Sequence, residues 1–150
     1  MAISNHERVG KAMDNLKDGL EPFVEREMKA RYKDRWTEQA RSSFRQNQPD
    51  VFPDDAEPRW DAGALLIVMS NHWRTVFEDT LGYSERSLVS ELREVRNQWA
   101  HQNSFSTDDA YRALDSASRL LAAVSAPQAG EVEKMKMELL RLRFDEQVRG

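Results

Sequence analysis

A chain of 150 residues with 39% hydrophobic and 32% charged side chains has the size of one ordinary domain with a buried core, and six Gly and five Pro are too few for a turn-rich β architecture. Zero cysteines exclude disulfides, thiolate-bound zinc, iron–sulfur clusters and thiol nucleophiles, and they fit a reducing compartment. A formal net charge of −4 excludes a broad cationic surface for nucleic acid and leaves room only for a local basic cleft.

At the N-terminus, Val9, Ala12, Met13, Leu16 and Leu20 recur at three- and four-residue steps, which predicts an amphipathic helix from Asn5 toward Trp36 with Ser4 or Asn5 as its cap. Gly19 and Pro22 interrupt the pattern before Phe23, Val24 and Met28 resume it, so a kink or break into two pieces is expected. A short helix from Thr37 to Arg45 follows, then a connecting loop from Gln46 to Pro58 that carries three Pro and a run of acidic residues.

Asp61 caps the most apolar helix, with Leu65, Leu66, Met69, Trp73, Val76, Phe77 and Leu81 on one broad face and Gly82 as its stop; this is expected to be a central helix. Ser84 or Ser87 opens the next, whose Leu88, Leu92, Val95 and Trp99 predict a buried stripe. After a break at Gln102 to Ser106, Ser106 or Thr107 caps a helix that turns Ala110, Leu114, Ala117, Leu121 and Val124 inward, ended by Pro127 and Gly130. From Glu131 to Val148, Val132, Met135, Leu139 and Leu142 form a narrow seam suited to one partner helix. The fold expected is an all-α, mostly antiparallel bundle of five to seven helices. Residues 1–126 form the domain and 127–150 a C-terminal amphipathic helix, a candidate linker to a further domain because the charged helical pattern runs on to Gly150.

No apolar run approaches the roughly 20 residues of a bilayer span. The opening MAISNHERVGKAM has no hydrophobic signal region, so no membrane partner is expected and the location predicted is cytoplasmic. No Gly-rich phosphate loop, Walker pattern or Gly-x-Ser-x-Gly elbow is present, and no cofactor is expected. The three histidines, His6, His72 and His101, fall outside metal-ligand spacing, and Asp54, Asp55, Glu57, Glu78 and Asp79 read as solvated charge, so no metal site is expected. His72, between Asn71 and Trp73, reads as a satisfied core histidine, and His6 as inert in a fraying terminus.

The segment from Glu91 to Gln102 sets Arg96, Asn97 and His101 beside the apolar stripe where the helical pattern ends. On an uninterrupted helix Arg96 and His101 diverge by roughly 140°. To meet on one ligand they need the helix to end near Ala100, or a second copy of the chain to bring its own pair across a two-fold axis. The competing reading is a solvated arginine and a helix-terminal histidine held by the dipole.

Arg96-Asn97-x-x-Ala100-His101 resembles the Arg-x4-6-His motif of HEPN domains, small all-α modules, many of them RNases. The resemblance extends over the helix before it, over Glu91-Leu92-Arg93, over the stretch from Phe105 to Leu114 with Leu120-Leu121, and over Val9-Gly10-x-Ala12 and Gly19-Leu20-x-Pro22-Phe23-Val24. These parts are similar to the branch named after a nuclear transcript-surveillance endonuclease, and the likeness covers about residues 5 to 125. It implies metal-independent RNA cleavage by a homodimer, with His101 as general acid or base, Arg96 on the phosphate and Asn97 orienting the backbone or a partner side chain. It further implies a downstream ATPase domain and a setting in phage defence. Position 103 is Asn, so control by nucleotidylation of a tyrosine two residues after the histidine, known in another HEPN branch, is not expected. A non-catalytic HEPN-like dimerisation or docking module is the alternative, in keeping with the acidic balance and the apolar seam.

Overall fold

The computed structural model describes residues 3–44 and 58–149. Among the described residues, six α-helices form an all-α bundle: α1 (Asn5–Tyr32), α2 (Trp36–Arg41), α3 (Ala62–Asn71), α4 (Tyr83–Ala100), α5 (Thr107–Ala123) and α6 (Gln128–Arg149), with short 3-10 turns at Lys33–Arg35 and Phe77–Asp79. The connecting loop expected between α2 and α3, with Arg45 and its acidic cluster Asp54, Asp55 and Glu57, lies outside the described residues except for Pro58.

Helix α1 touches every other α-helix and is the axis of the bundle. Ser4 is its cap, its Oγ accepting the Glu7 N–H at 3.1 Å. The break expected at Pro22 does not occur: the helix runs unbroken through it. Pro22 is exposed, so the carbonyl it leaves unbonded faces water, while Gly19, Leu20, Phe23 and Val24 around it are buried. Tertiary packing of that face outweighs the lost hydrogen bond. The absence of a side chain at Gly19 is required here, because a Cβ would come within 2.4 Å of Leu121 Cδ2.

Helix α3 is buried on most of its surface, as its composition predicts, but it ends ten residues earlier than expected, at Asn71. Trp73, Val76, Phe77 and Leu81 remain buried although the chain has left the α-helix. Past His72 the backbone widens, with Phe77 N–H and Glu78 N–H bonding the carbonyls of His72 and Trp73 five residues back. At this point the His72 ring is tied to α1 and α2, as described below. Gly82 is consequently the start of α4 rather than the end of α3, its N–H donating to Glu85 Oε1 at 3.5 Å.

In α4 only Val89 and Leu92 are buried; Leu88, Val95 and Trp99 are half-buried, so the stripe expected to be fully buried lies along the edge of the core. Helix α5 follows expectation: Ser106 Oγ accepts the Asp109 N–H at 3.0 Å, and Ala110, Leu114, Ala117, Leu121 and Val124 are all buried. Gly130 does not end α5; it lies within the first turn of α6.

Helix α6 packs on α5 and α1 through Val132 and Leu139. Lys136 bridges to Asp115 of α5 at 3.1 Å and to Glu133 at 3.0 Å. Burial pushes the Asp115 carboxyl up, but hydrogen bonds and charge from Lys136 and Arg119 outweigh it and hold the group below its ordinary range. The narrow seam suited to one partner helix is thus used mostly within the chain, Val132 and Leu139 being buried and Met135 packed against the core, while Leu142 is exposed. Instead Met137, Leu140, Phe144 and Val148 are exposed and, at about 100° per residue, share one face of the helix. No helix among the described residues is long and apolar enough to cross a membrane.

Candidate functional site

Helix α4 stops within the motif. Ala100 is its last residue, His101 takes the C-cap position and Gln102 turns left-handed at φ 60°. Gln102 N–H then bonds Trp99 O at 3.1 Å and Asn103 N–H bonds Gln98 O at 3.0 Å, the paired bonds of a Schellman motif, with Gln102 in the place usually held by Gly. The imidazole of His101 is exposed at this corner and has no hydrogen-bond partner among the described residues.

One and a half turns earlier, Arg96 points to the start of α3. Its Nη2 donates to Asp61 Oδ2 at 3.1 Å while Asp61 Oδ1 caps α3 by accepting the Ala64 N–H at 2.7 Å. A cation beside a helix N-terminus meets the positive end of the dipole, and the Asp61 carboxylate between them offsets this. Gly63 makes room: a Cβ there would lie 2.6 Å from Arg96 Nε. The Arg96 side chain is one-third exposed, and a guanidinium has five donors, so anion-binding capacity remains after Asp61 is served. Arg93 runs parallel, donating to Ser70 Oγ of α3 at 3.2 Å. Asn97 is exposed, and its carbonyl accepts the His101 N–H at 3.1 Å.

The three motif residues are therefore on one helix end but are not joined: among the described residues no hydrogen bond or ion pair links Arg96 or Asn97 side chains to the His101 ring. The other flank of α4 borders an open groove of about 680 Å³ lined by Glu91, Glu94, Val95, Gln98, Phe105 and Arg112 among others. Arg112 is paired with Glu91, and Glu94 and Asp109 add further negative charge, so this groove does not suit a phosphate. Among the described residues no group of three or more His, Asp or Glu is placed to hold a metal ion.

The other two histidines part company with each other. His72 is a core histidine as expected: Nε2 donates to Gln39 O at 2.9 Å, and Nδ1 meets the Tyr32 hydroxyl at 3.3 Å. Burial pushes its pKa down, with the Gln39 carbonyl opposing. His6 is not inert: it is half-buried, stacks on Trp99 and bonds the Trp99 carbonyl. Sequence reasoning missed His6, Asp61 as the partner of Arg96, and Gly63. Only Gly63 carried a local signal, a glycine inside an apolar helix, which marks close approach of another group.

An all-α bundle that ends an internal helix on Arg-x4-His has the make-up of a HEPN domain. A family model confirms the class and refines it: the description "Swt1-like HEPN" matches residues 11–125, more than half of the chain and both motif residues. The chain belongs to the Swt1-like HEPN family. No curated protein and no solved structure matches it.

Proposed function

We propose that the chain is a metal-independent endoribonuclease module that works as a homodimer, with His101 and Arg96 as its catalytic residues. The observation that carries this reading is an exposed imidazole at the C-cap of α4, without a hydrogen-bond partner among the described residues, in a chain whose family match spans the whole motif. Within one chain the helix twist separates the two groups, so the cleft is completed by a second copy that brings its own pair.

In the reaction, the ribose 2′-oxygen forms a bond to the adjacent phosphorus as the bond to the 5′-oxygen breaks. One His101 takes the 2′-hydroxyl proton and the other protonates the leaving oxygen, the two halves of general acid–base catalysis. The Arg96 fork binds the non-bridging oxygens and offsets the charge that builds on them. Asn97 orients the backbone or the substrate at the same helix end. The products are a 2′,3′-cyclic phosphate and a 5′-hydroxyl. The module acts within a larger cytoplasmic protein with an ATPase domain, in defence against phage.

The test is RNA cleavage by the purified chain in excess EDTA. Wild type is expected to cleave and to sediment as a dimer. His101→Ala is expected to lose about 10²–10⁴-fold in rate with the helical circular dichroism intact. Equal rates in the two proteins remove His101 from the mechanism. The second reading, a docking or dimerisation module without catalysis, is favoured by the exposed stripe Met137, Leu140, Phe144 and Val148 on α6. A stable dimer that leaves RNA intact would select it.

A further inference from the structure

The first two turns of α1 are fastened to the segment that carries His101. The imidazole of His6 lies over the Trp99 indole with ring centres 5.6 Å apart and planes 17° from parallel, and it tilts against Phe105 at 6.4 Å. Its Nε2 is 3.1 Å from the Trp99 carbonyl oxygen. A carbonyl oxygen only accepts, so this nitrogen carries the proton and the bond runs from His6 to Trp99. The same oxygen also receives the Gln102 N–H that closes the helix end, so His6 occupies its second lone pair.

A second fastening lies on the far side of His101. Asn5 Nδ2 donates to the Phe105 carbonyl at 3.0 Å, and contacts Thr107 Oγ1 at 3.5 Å. Arg8 Nη1 donates to Asn5 Oδ1 at 2.8 Å, which fixes the direction of the amide. Gly10 completes the seat: the Trp99 indole lies so close that a Cβ on Gly10 would be 3.0 Å from its Nε1. Trp99 and Phe105 bracket residues 100–104, so α1 holds both ends of the corner on which His101 is displayed.

The corner's own closure lacks an apolar seal. Its Schellman turn is closed by Gln98 and Asn103, both exposed and polar, where such motifs ordinarily gain a hydrophobic contact between these two positions. Gln102 there adopts φ 60°, a conformation that a residue with a Cβ resists. The matched family region begins at residue 11, so the α1 side of the clasp, Asn5, His6, Arg8 and Gly10, lies outside it, while Trp99 and Phe105 lie within it.

We infer that His6, assisted by Asn5, is a positioning residue that fixes the α4 corner and thereby the reach of the His101 imidazole into the cleft. This rests on the reading of His101 as the proton-transfer group.

The experiment pairs two measurements on wild type, His6→Ala and His6→Gln, the last retaining an amide N–H that reaches the same carbonyl. Amide hydrogen exchange by NMR follows Gln102 and Asn103, with Ser125 and Ala126 at the end of α5 as internal reference. His6→Ala is expected to speed exchange of the first pair by about 10-fold, one hydrogen bond's worth, and to leave the second pair unchanged. RNA cleavage by the same proteins is expected to show kcat lowered about 10- to 10²-fold in His6→Ala with KM retained, and largely restored in His6→Gln. Unchanged exchange at Gln102 and Asn103 overturns the clasp. Faster exchange with unchanged kcat overturns the positioning role. A wild type that leaves RNA intact overturns the nuclease reading instead, and the exchange data then still decide whether the clasp holds the corner.

Discussion

Helices α3 and α4 each end on a histidine at the same capping position, and the two rings meet opposite fates. His72 is buried, with both ring nitrogens in hydrogen bonds to the Tyr32 hydroxyl and the Gln39 carbonyl. His101 is exposed, and its ring has no partner among the described residues. The backbone is nearly the same in both, φ −104° and ψ 24° at His72 against φ −87° and ψ 13° at His101. What separates a structural from a chemical histidine here is therefore the neighbouring elements. Around His72, α1 and α2 close over the ring. Around His101, α1 binds the backbone on either side and leaves the ring in water.

Truncating each ring is the strongest way to break this comparison. His72→Ala leaves the Gln39 carbonyl and the Tyr32 hydroxyl short of a partner and opens a cavity, so a loss of about 2–4 kcal/mol is expected in urea denaturation. His101→Ala is expected to change stability by no more than about 0.5 kcal/mol. Similar losses in both would mean that His101 is a packing residue and that its exposure has no chemical purpose.

Acid sharpens the contrast. The folded pKa of His72 lies below its value of 6.5 in a free chain, so the unfolded state takes up the proton first as pH falls. The stability tied to this ring is complete above about pH 6.5 and is lost progressively below it, down to the depressed folded value. A thermal melt series from pH 7.5 to 5 is expected to show the decline in wild type and a shallower one in His72→Gln. Parallel declines would place the acid-sensitive group elsewhere.

Much of the bundle is legible in the chain because cap and periodicity coincide. Ser106 or Thr107 as cap, with Ala110, Leu114, Ala117, Leu121 and Val124 facing inward, marks α5, and Ser106 is the one that caps it. The end of α3 is not legible in this way. Trp73, Val76, Phe77 and Leu81 keep helical spacing and are buried, while the helix ends at His72, whose ring contacts lie 33 and 40 residues away in sequence. Pro22 misleads for the same kind of reason, since its exposed side tolerates a missing bond that a local rule counts as a break. At the site, Arg96 and His101 stand out as a motif. Asp61, 35 residues from Arg96, and His6, 93 residues from Trp99, do not, because only the packing of α3 and α1 on α4 brings them there.

The smallest expected effect isolates the α4 corner most directly. Helices α4 and α5 end in the same Schellman turn, with Gln102 and Ser125 both at φ 60°. The α5 turn is sealed by apolar contact, Leu121 and Ala126 being buried at the two positions where α4 has exposed Gln98 and Asn103. Glycine relieves the left-handed strain at either site, less the added freedom of the unfolded chain, so Gln102→Gly and Ser125→Gly should each stabilise by about 0.5–1 kcal/mol. Combining each with His6→Ala separates them. Ser125 is remote from His6 and its gain should add within about 0.3–0.5 kcal/mol, whereas Gln102 shares the Trp99 carbonyl with His6 and its gain should depart from additivity by more than that. Additivity at both positions would show that the His6 bond and the left-handed turn are independent, and that the corner holds its shape without α1.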